Sequence, residues 1–246
     1  MRKVQQWLLV SLLLLVFSQA NAQDSTTVQD LELWTGVNLK KSFLDDKMRF
    51  GLTQEFRFED NATSINNFFT EAELGYKFFK GFRVDVGYRF IRNNRNSGYR
   101  SEGRIFTDVN YKHKFDRFKF GYRFRFQNQS VLGSDATDDD IINKYRVRFK
   151  LQYNIRNWKF DPYFATEAFF AQTTNRINYI PTITEEEARV SGFEKIRFTL
   201  GTSYDITKKI NVGAFYRYER ELGSYPMYYN TPRQYFIAGL NLNFDL

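Results

Sequence analysis

Residues 118–127 read FKFGYRFRFQ. Phe118, Phe120, Tyr122, Phe124 and Phe126 occupy the even positions, while Lys119, Gly121, Arg123, Arg125 and Gln127 occupy the odd ones. A strand sends successive side chains to opposite faces, so a period of two marks a β-strand with one aromatic and one basic face. The aromatic face needs either a protein core or lipid against it. The chain on both sides decides which.

Outward from this stretch the alternation recurs. Phe50, Leu52, Phe56 and Phe58 oppose Arg49, Thr53, Glu55 and Arg57; Ala72, Leu74 and Tyr76 oppose Glu71, Glu73 and Lys77. Val84, Val86, Tyr88 and Phe90 oppose Arg83, Asp85 and Arg89, and Ile105, Val109 and Tyr111 oppose Arg104, Asp108 and Lys112. Tyr145, Val147, Phe149 and Leu151 oppose Lys144, Arg146, Arg148 and Lys150. Further candidates carry Phe160, Phe164, Ala168 and Phe170; Ile196, Phe198, Leu200 and Tyr204; Val212, Ala214 and Tyr216; and Phe236, Ala238, Leu240 and Phe244. With a strand over 31–43, this gives about eleven candidates of roughly 9–13 residues, against a mode of 5–6 in soluble sheets. Tilted strands crossing a bilayer need that length.

The connections are sorted. Short ones fall at 44–47, 80–81, 115–117, 156–157 and 206–209, and longer polar ones near 60–67, 92–101, 130–143, 172–193 and 221–233. Outer-membrane barrels have short periplasmic turns and long outer loops, whereas a β-sandwich has no reason for such sorting. The expected fold is therefore an all-β, antiparallel transmembrane outer-membrane β-barrel of 10–12 strands. Twelve is favoured because bacterial barrels close with even numbers. A strand over 31–43 then runs from outside inward, so either residues 23–30 supply a short ascending strand or a segment through the lumen, or one candidate is not a barrel strand.

The first residues fit this reading. Arg2 and Lys3, an apolar run from Trp7 to Phe17, and Ala20-Asn21-Ala22 form a secretory signal cleaved after Ala22. Residues 23–246 are read as a single barrel domain, in a chain without cysteine and hence without disulfide or thiolate chemistry. Loss of Arg2 and Lys3 lowers the formal charge from +8 to +6. The cations alternate with aromatics along strands and do not cluster in tails, which argues against nucleic acid. The expected location is the bacterial outer membrane. Expected partners are its lipid, lipopolysaccharide and the barrel-assembly machinery.

The stretches LWTGVNLKKSF, MRFGLTQEFRF, VDVGYRFIRN, YRSEGRIFTDVNYKHKFDRFKFGYRFRFQ and KYRVRFKLQYNI resemble the bacterial outer-membrane β-barrel family catalogued as domain of unknown function 2490, frequent in the Bacteroidetes. The likeness covers nearly the whole chain after the signal. It implies the barrel fold and transfers no catalytic residue. The chain departs from general barrel habit in ending Asn-Phe-Asp-Leu, with Phe244 two positions before Leu246.

Little points to catalysis. The single histidine, His113, shares the aromatic face with Tyr111 and Val109 beside a short turn, out of reach of lumenal serines. The expectation is no enzyme, no catalytic residue, no cofactor and no metal site. Asp135, Asp138, Asp139 and Asp140 in one loop, and Glu185, Glu186 and Glu187 in another, read as solvated acids with weak Ca²⁺ or Mg²⁺ binding as the alternative.

The inward face is the informative one. Parity places about twenty Lys and Arg there against about thirteen Asp and Glu. A basic wall of Lys119, Arg123, Arg125, Lys144, Arg146, Arg148 and Lys150 faces acidic partners Glu55, Glu71, Glu73 and Asp85. Like charges on paired strands need compensation, either from acids across the lumen or from passing anions. The expected function is a non-enzymatic outer-membrane barrel, as a narrow pore or an envelope-structural protein. Alternatives are an outer-membrane hydrolase and a surface-binding protein acting through loops 130–143 and 172–193.

Overall fold

The computed structural model describes residues 29–95, 98–133, 141–177, 186–222 and 233–246. The expected signal segment, the aspartates at 135–140 and Glu185 lie outside the described residues. Eleven strands run through them: β1 (Gln29–Phe43), β2 (Met48–Glu59), β3 (Ser64–Phe79), β4 (Phe82–Arg95), β5 (Gly98–Phe115), β6 (Phe118–Leu132), β7 (Ile142–Tyr153), β8 (Tyr163–Ile177), β9 (Glu186–Asp205), β10 (Ile210–Glu221) and β11 (Gln234–Asp245). Each pairs antiparallel with its neighbour in sequence, and β1 closes the ring against β11 in parallel. Closure leaves no edge strand: each of the eleven has a hydrogen-bonded neighbour on both sides, as a barrel in hydrocarbon requires.

The favoured count of twelve is corrected to eleven among the described residues. An odd number of up-and-down strands brings the first and last strands to the seam running the same way. The seam is therefore parallel, from Gln29↔Gln234 to Lys40↔Asp245. That ladder runs without a register shift for twelve pairs, so no further strand is needed there.

Faces follow parity. Ile105 is 63 % exposed and Phe106, the next residue, 1 %. Leu74, Val86, Tyr122, Phe124, Val147, Leu200 and Leu240 form part of the outward apolar belt. Outward rings also pair across strands, as at Phe126–Tyr145 and Tyr122–Phe149. Such pairs add stabilisation beyond the burial of their area.

One end of the barrel has the connections 44–47, 80–81, 116–117, 154–162 and 206–209. Gly81 fits the second of these because its φ is +89° and a Cβ there would lie 2.2 Å from the Lys112 carbonyl oxygen. Two loops expected to be long are not. Residues 60–67 reduce to a turn at 60–63, whose Asp60 and Asn61 amides donate to the Asp30 carboxylate at 3.3 and 3.2 Å. Ladder pairing at the next loop continues to Arg95↔Gly98, so 92–101 is mostly strand. The turn expected at 156–157 is longer than expected. Pro162 has no N–H for a ladder, and β8 begins only at Tyr163, leaving Phe160 on an isolated bridge to Tyr204.

Candidate functional site

The lumen is small because large side chains enter it. Trp34, Phe69, Phe106, Phe169 and Ile237 are buried among the charges. Glycines on neighbouring strands make room for some of these rings. A Cβ on Gly87 would sit 2.4 Å from the Phe106 ring, and one on Gly239 2.1 Å from the Phe215 ring. The guanidiniums lie on these rings: Arg57 is 3.7 Å over Trp34, Arg89 3.7 Å over Phe69 and Arg125 3.8 Å over Phe106. A ring face attracts a cation most strongly where water is excluded.

The register of β5, β6 and β7 lays out the basic wall. Asp108, Arg125 and Arg146 form one row, and Asn110, Arg123 and Arg148 the next. Lys112, Gly121 and Lys150 form the third, with Lys114, Lys119 and Gln152 below. Arg123 therefore faces Arg148, and Arg125 faces Arg146, which would repel without compensation.

Compensation comes chiefly from within the sheet. Arg125 donates through Nε and Nη2 to the two Asp108 carboxylate oxygens at 2.6 and 2.7 Å, a bidentate pair in which both residues are buried. Glu167 on β8 collects three guanidiniums: Arg123 at 2.7 Å, Arg146 at 2.8 Å and Arg197 at 3.6 Å. Glu219 on β10 binds Lys195 and Arg197, and Glu194 binds Lys144 at 2.6 Å.

The expected acidic partners point inward but mostly serve other bases. Glu55 takes Arg57 at 2.7 Å, and Glu73 takes Arg49 at 2.8 Å. Asp85 takes Arg83 at 2.8 Å and Arg49 at 3.5 Å. Glu71 binds Arg89 on its neighbouring strand, and its contact with Arg125 at 3.8 Å joins β3 to β6. The idea that Glu55 and Glu73 neutralise the basic wall across the lumen is thus corrected. Asp108 and Glu167 do most of that, from strands beside the wall.

Parity already put Asp108 inward. Glu167 was missed, although a lone carboxylate between Ala165 and Phe169, in register with Arg148, was a readable signal. Of the seven basic-wall residues, Lys119, Arg148 and Lys150 have no carboxylate within 4 Å among the described residues. Lys150 instead lies 3.9 Å over the Tyr163 ring.

Two polar cavities occupy the lumen. One, of about 270 Å³, lies among Glu55, Arg57, Lys144, Arg146, Arg217 and their neighbours. The other, of about 390 Å³, lies among Lys40, Glu73, Lys112, Gly121 and Lys150, in the half nearer the 44–47, 80–81 and 116–117 turns. Glu71, Arg123, Arg125 and Arg148 line both, at the level where the two meet, called here the septum. His113 is on the other face, its ring stacked 4.9 Å from Phe120 and 5.9 Å from Tyr122. Among the described residues, no group of three or more His, Asp or Glu converges as a metal site.

No curated protein matches the chain. Among solved structures it is similar to the outer-membrane-expressed OmpT of Vibrio cholerae, at 12 % identity over 71 % of this chain and 54 % of that one, with a TM-score of 0.38. A loop-deletion mutant of the same protein is matched at 14 % identity over 69 % of this chain and 53 % of that one, with a TM-score of 0.37. The chain thus spans about half the length of those Vibrio cholerae structures. The NanC porin is similar at 14 % identity over 78 % of this chain and 87 % of that one, with a TM-score of 0.43. The family model described as Protein of unknown function (DUF2490) matches residues 31–226, and the chain belongs to that family.

Proposed function

We infer that this protein is a non-enzymatic outer-membrane barrel whose lumen is closed at mid-height, with an envelope-structural role. One observation carries the reading. Glu71, Arg123 and Arg125 of the septum are ion-paired, and Arg125 and its partner Asp108 are each only 3 % exposed. Groups lining a continuous water channel would be open to solvent. Here Asp108, Glu71 and Glu167 are engaged by guanidiniums, and aromatic rings pack against those guanidiniums.

In this reading the short turns face the periplasm and the opposite end faces outward, after removal of a signal ending at Ala22. The belt contacts outer-membrane lipid and lipopolysaccharide, and the barrel-assembly machinery inserts the chain. The position of His113 on the lipid face supports a role without acid–base catalysis, since no lumenal nucleophile shares its side of the wall.

Conductance tests the reading. Refolded protein in a planar bilayer is expected to give no steady unitary conductance, with heat-modifiable mobility on gels confirming the folded barrel. Stable ohmic steps with anion preference would overturn closure and favour the narrow pore. Turnover of lipid or peptide substrates that disappears in His113→Ala would overturn the non-enzymatic part.

A further inference from the structure

The cavity below the septum is left with uncompensated positive charge. Its acids are already engaged: Glu73 by Arg49 at 2.8 Å, and Asp85 by Arg83 at 2.8 Å and the Asn110 amide at 2.7 Å. Lys40, Lys112, Arg148 and Lys150 line the same space and have no carboxylate within 4 Å among the described residues.

Gly121 shapes the centre of this group. It stands in register between Lys112 on β5 and Lys150 on β7. The position its missing Cβ would take lies 3.8 Å from the Lys150 Cβ and 3.9 Å from the Lys112 Cγ. Two lysine stems thus flank an empty notch. Lys119 and Lys114 stand one row nearer the turn, so the approach is basic as well.

We propose that this cup binds a small, multiply charged oxyanion of the phosphate class, held by Lys40, Lys112, Arg148 and Lys150 around the Gly121 notch. The physical reason is self-repulsion. Four cations converging on about 390 Å³ repel one another, and a polyanion relieves that repulsion while gaining charge-assisted hydrogen bonds. The four cations are carried by three strands, β1, β5 and β7, so the ligand also bridges the barrel wall. The cup opens into the lumen and not through the lipid face, which favours a free solute over a lipid headgroup. The site rests on the cup alone and stands whether or not the septum conducts.

Calorimetric titration with inorganic pyrophosphate, on refolded protein in phosphatidylcholine vesicles, tests the proposal. One saturable site per barrel is expected, weakening as salt is raised. Lys112→Ala with Lys150→Ala should weaken binding by about tenfold or more, as loss of enclosed charge pairing does. Gly121→Asp separates binding from folding. Its carboxylate enters the notch between the lysines, so it should abolish pyrophosphate binding while raising the unfolding midpoint. Absence of saturable binding to the wild type would overturn the proposal, as would unchanged affinity in both variants. Loss of pyrophosphate binding when phosphatidylglycerol is added to the vesicles would overturn the assignment to a free solute in favour of a lipid headgroup.

Discussion

At the scale of single residues, neighbours in the chain meet opposite solvents. Phe124 is 44 % exposed on the outer belt, while Arg125 beside it is 3 % exposed in the septum. A charge introduced on the lipid face near mid-depth costs roughly 2–4 kcal/mol. Phe124→Arg should lose about that much stability in a denaturant titration in lipid vesicles. Gly121→Ser, inward and with nothing nearer than 3.8 Å to its new Cβ, should stay within roughly 0.5 kcal/mol of wild type. The reverse ordering would invert the assignment of faces. These assignments were legible in the sequence because the alternation over 118–127 has no interruption. Phe106 and Phe169 were less legible. Each is an aromatic on the charged face, and parity assigns it to the lumen without saying that a guanidinium will cover it. Reading that requires the register, which sets Arg125 and Arg146 beside their rings.

At the scale of elements, the order and centres of the strands were legible, while strand starts and connection lengths were not: β9 begins at Glu186, ten residues before Ile196. Residues 64–67 and 92–95 look like loop because they are polar. They are nonetheless strand, since a barrel wall can continue past the bilayer where either face tolerates Asn and Arg. The strand number was misjudged for a different reason. Evenness is a habit of bacterial barrels, not a requirement of closure, and a parallel seam satisfies the same backbone groups. The seam can be tested in this cysteine-free chain. Val37 and Leu242 are register partners on the outward face, and adjacent strands lie about 4.8 Å apart, within the reach of a disulfide. Val37→Cys with Leu242→Cys should therefore cross-link on oxidation, giving a reducible mobility shift on denaturing gels. An intervening twelfth strand would separate them by about 9.6 Å, and no cross-link would form.

At the scale of the whole molecule, the basic wall and the septum are one structure. The wall could be read from two strands, but its main partners came from β5, β8 and β9, because nearness around the closed sheet, more than opposition across the lumen, decides which charges meet. Buried ion pairs of this kind need not add net stability over apolar packing. Breaking one from a single side is costly, about 3–5 kcal/mol, because it strands a charge. Arg146→Glu with Arg148→Glu removes one of the three guanidiniums at Glu167 and sets two new carboxylates beside it. In a closed barrel the outcome should be a large fall in the unfolding midpoint with no channel activity. Adding Glu167→Lys should recover part of the loss, since opposite charges are again neighbours. In an open pore the same double substitution would leave stability nearly unchanged and turn an anion preference towards cations. A denaturant titration run beside a reversal-potential measurement across a salt gradient separates these cases. Retained stability together with silent membranes would mean that the guanidiniums are solvated rather than structural, and the septum would no longer account for closure.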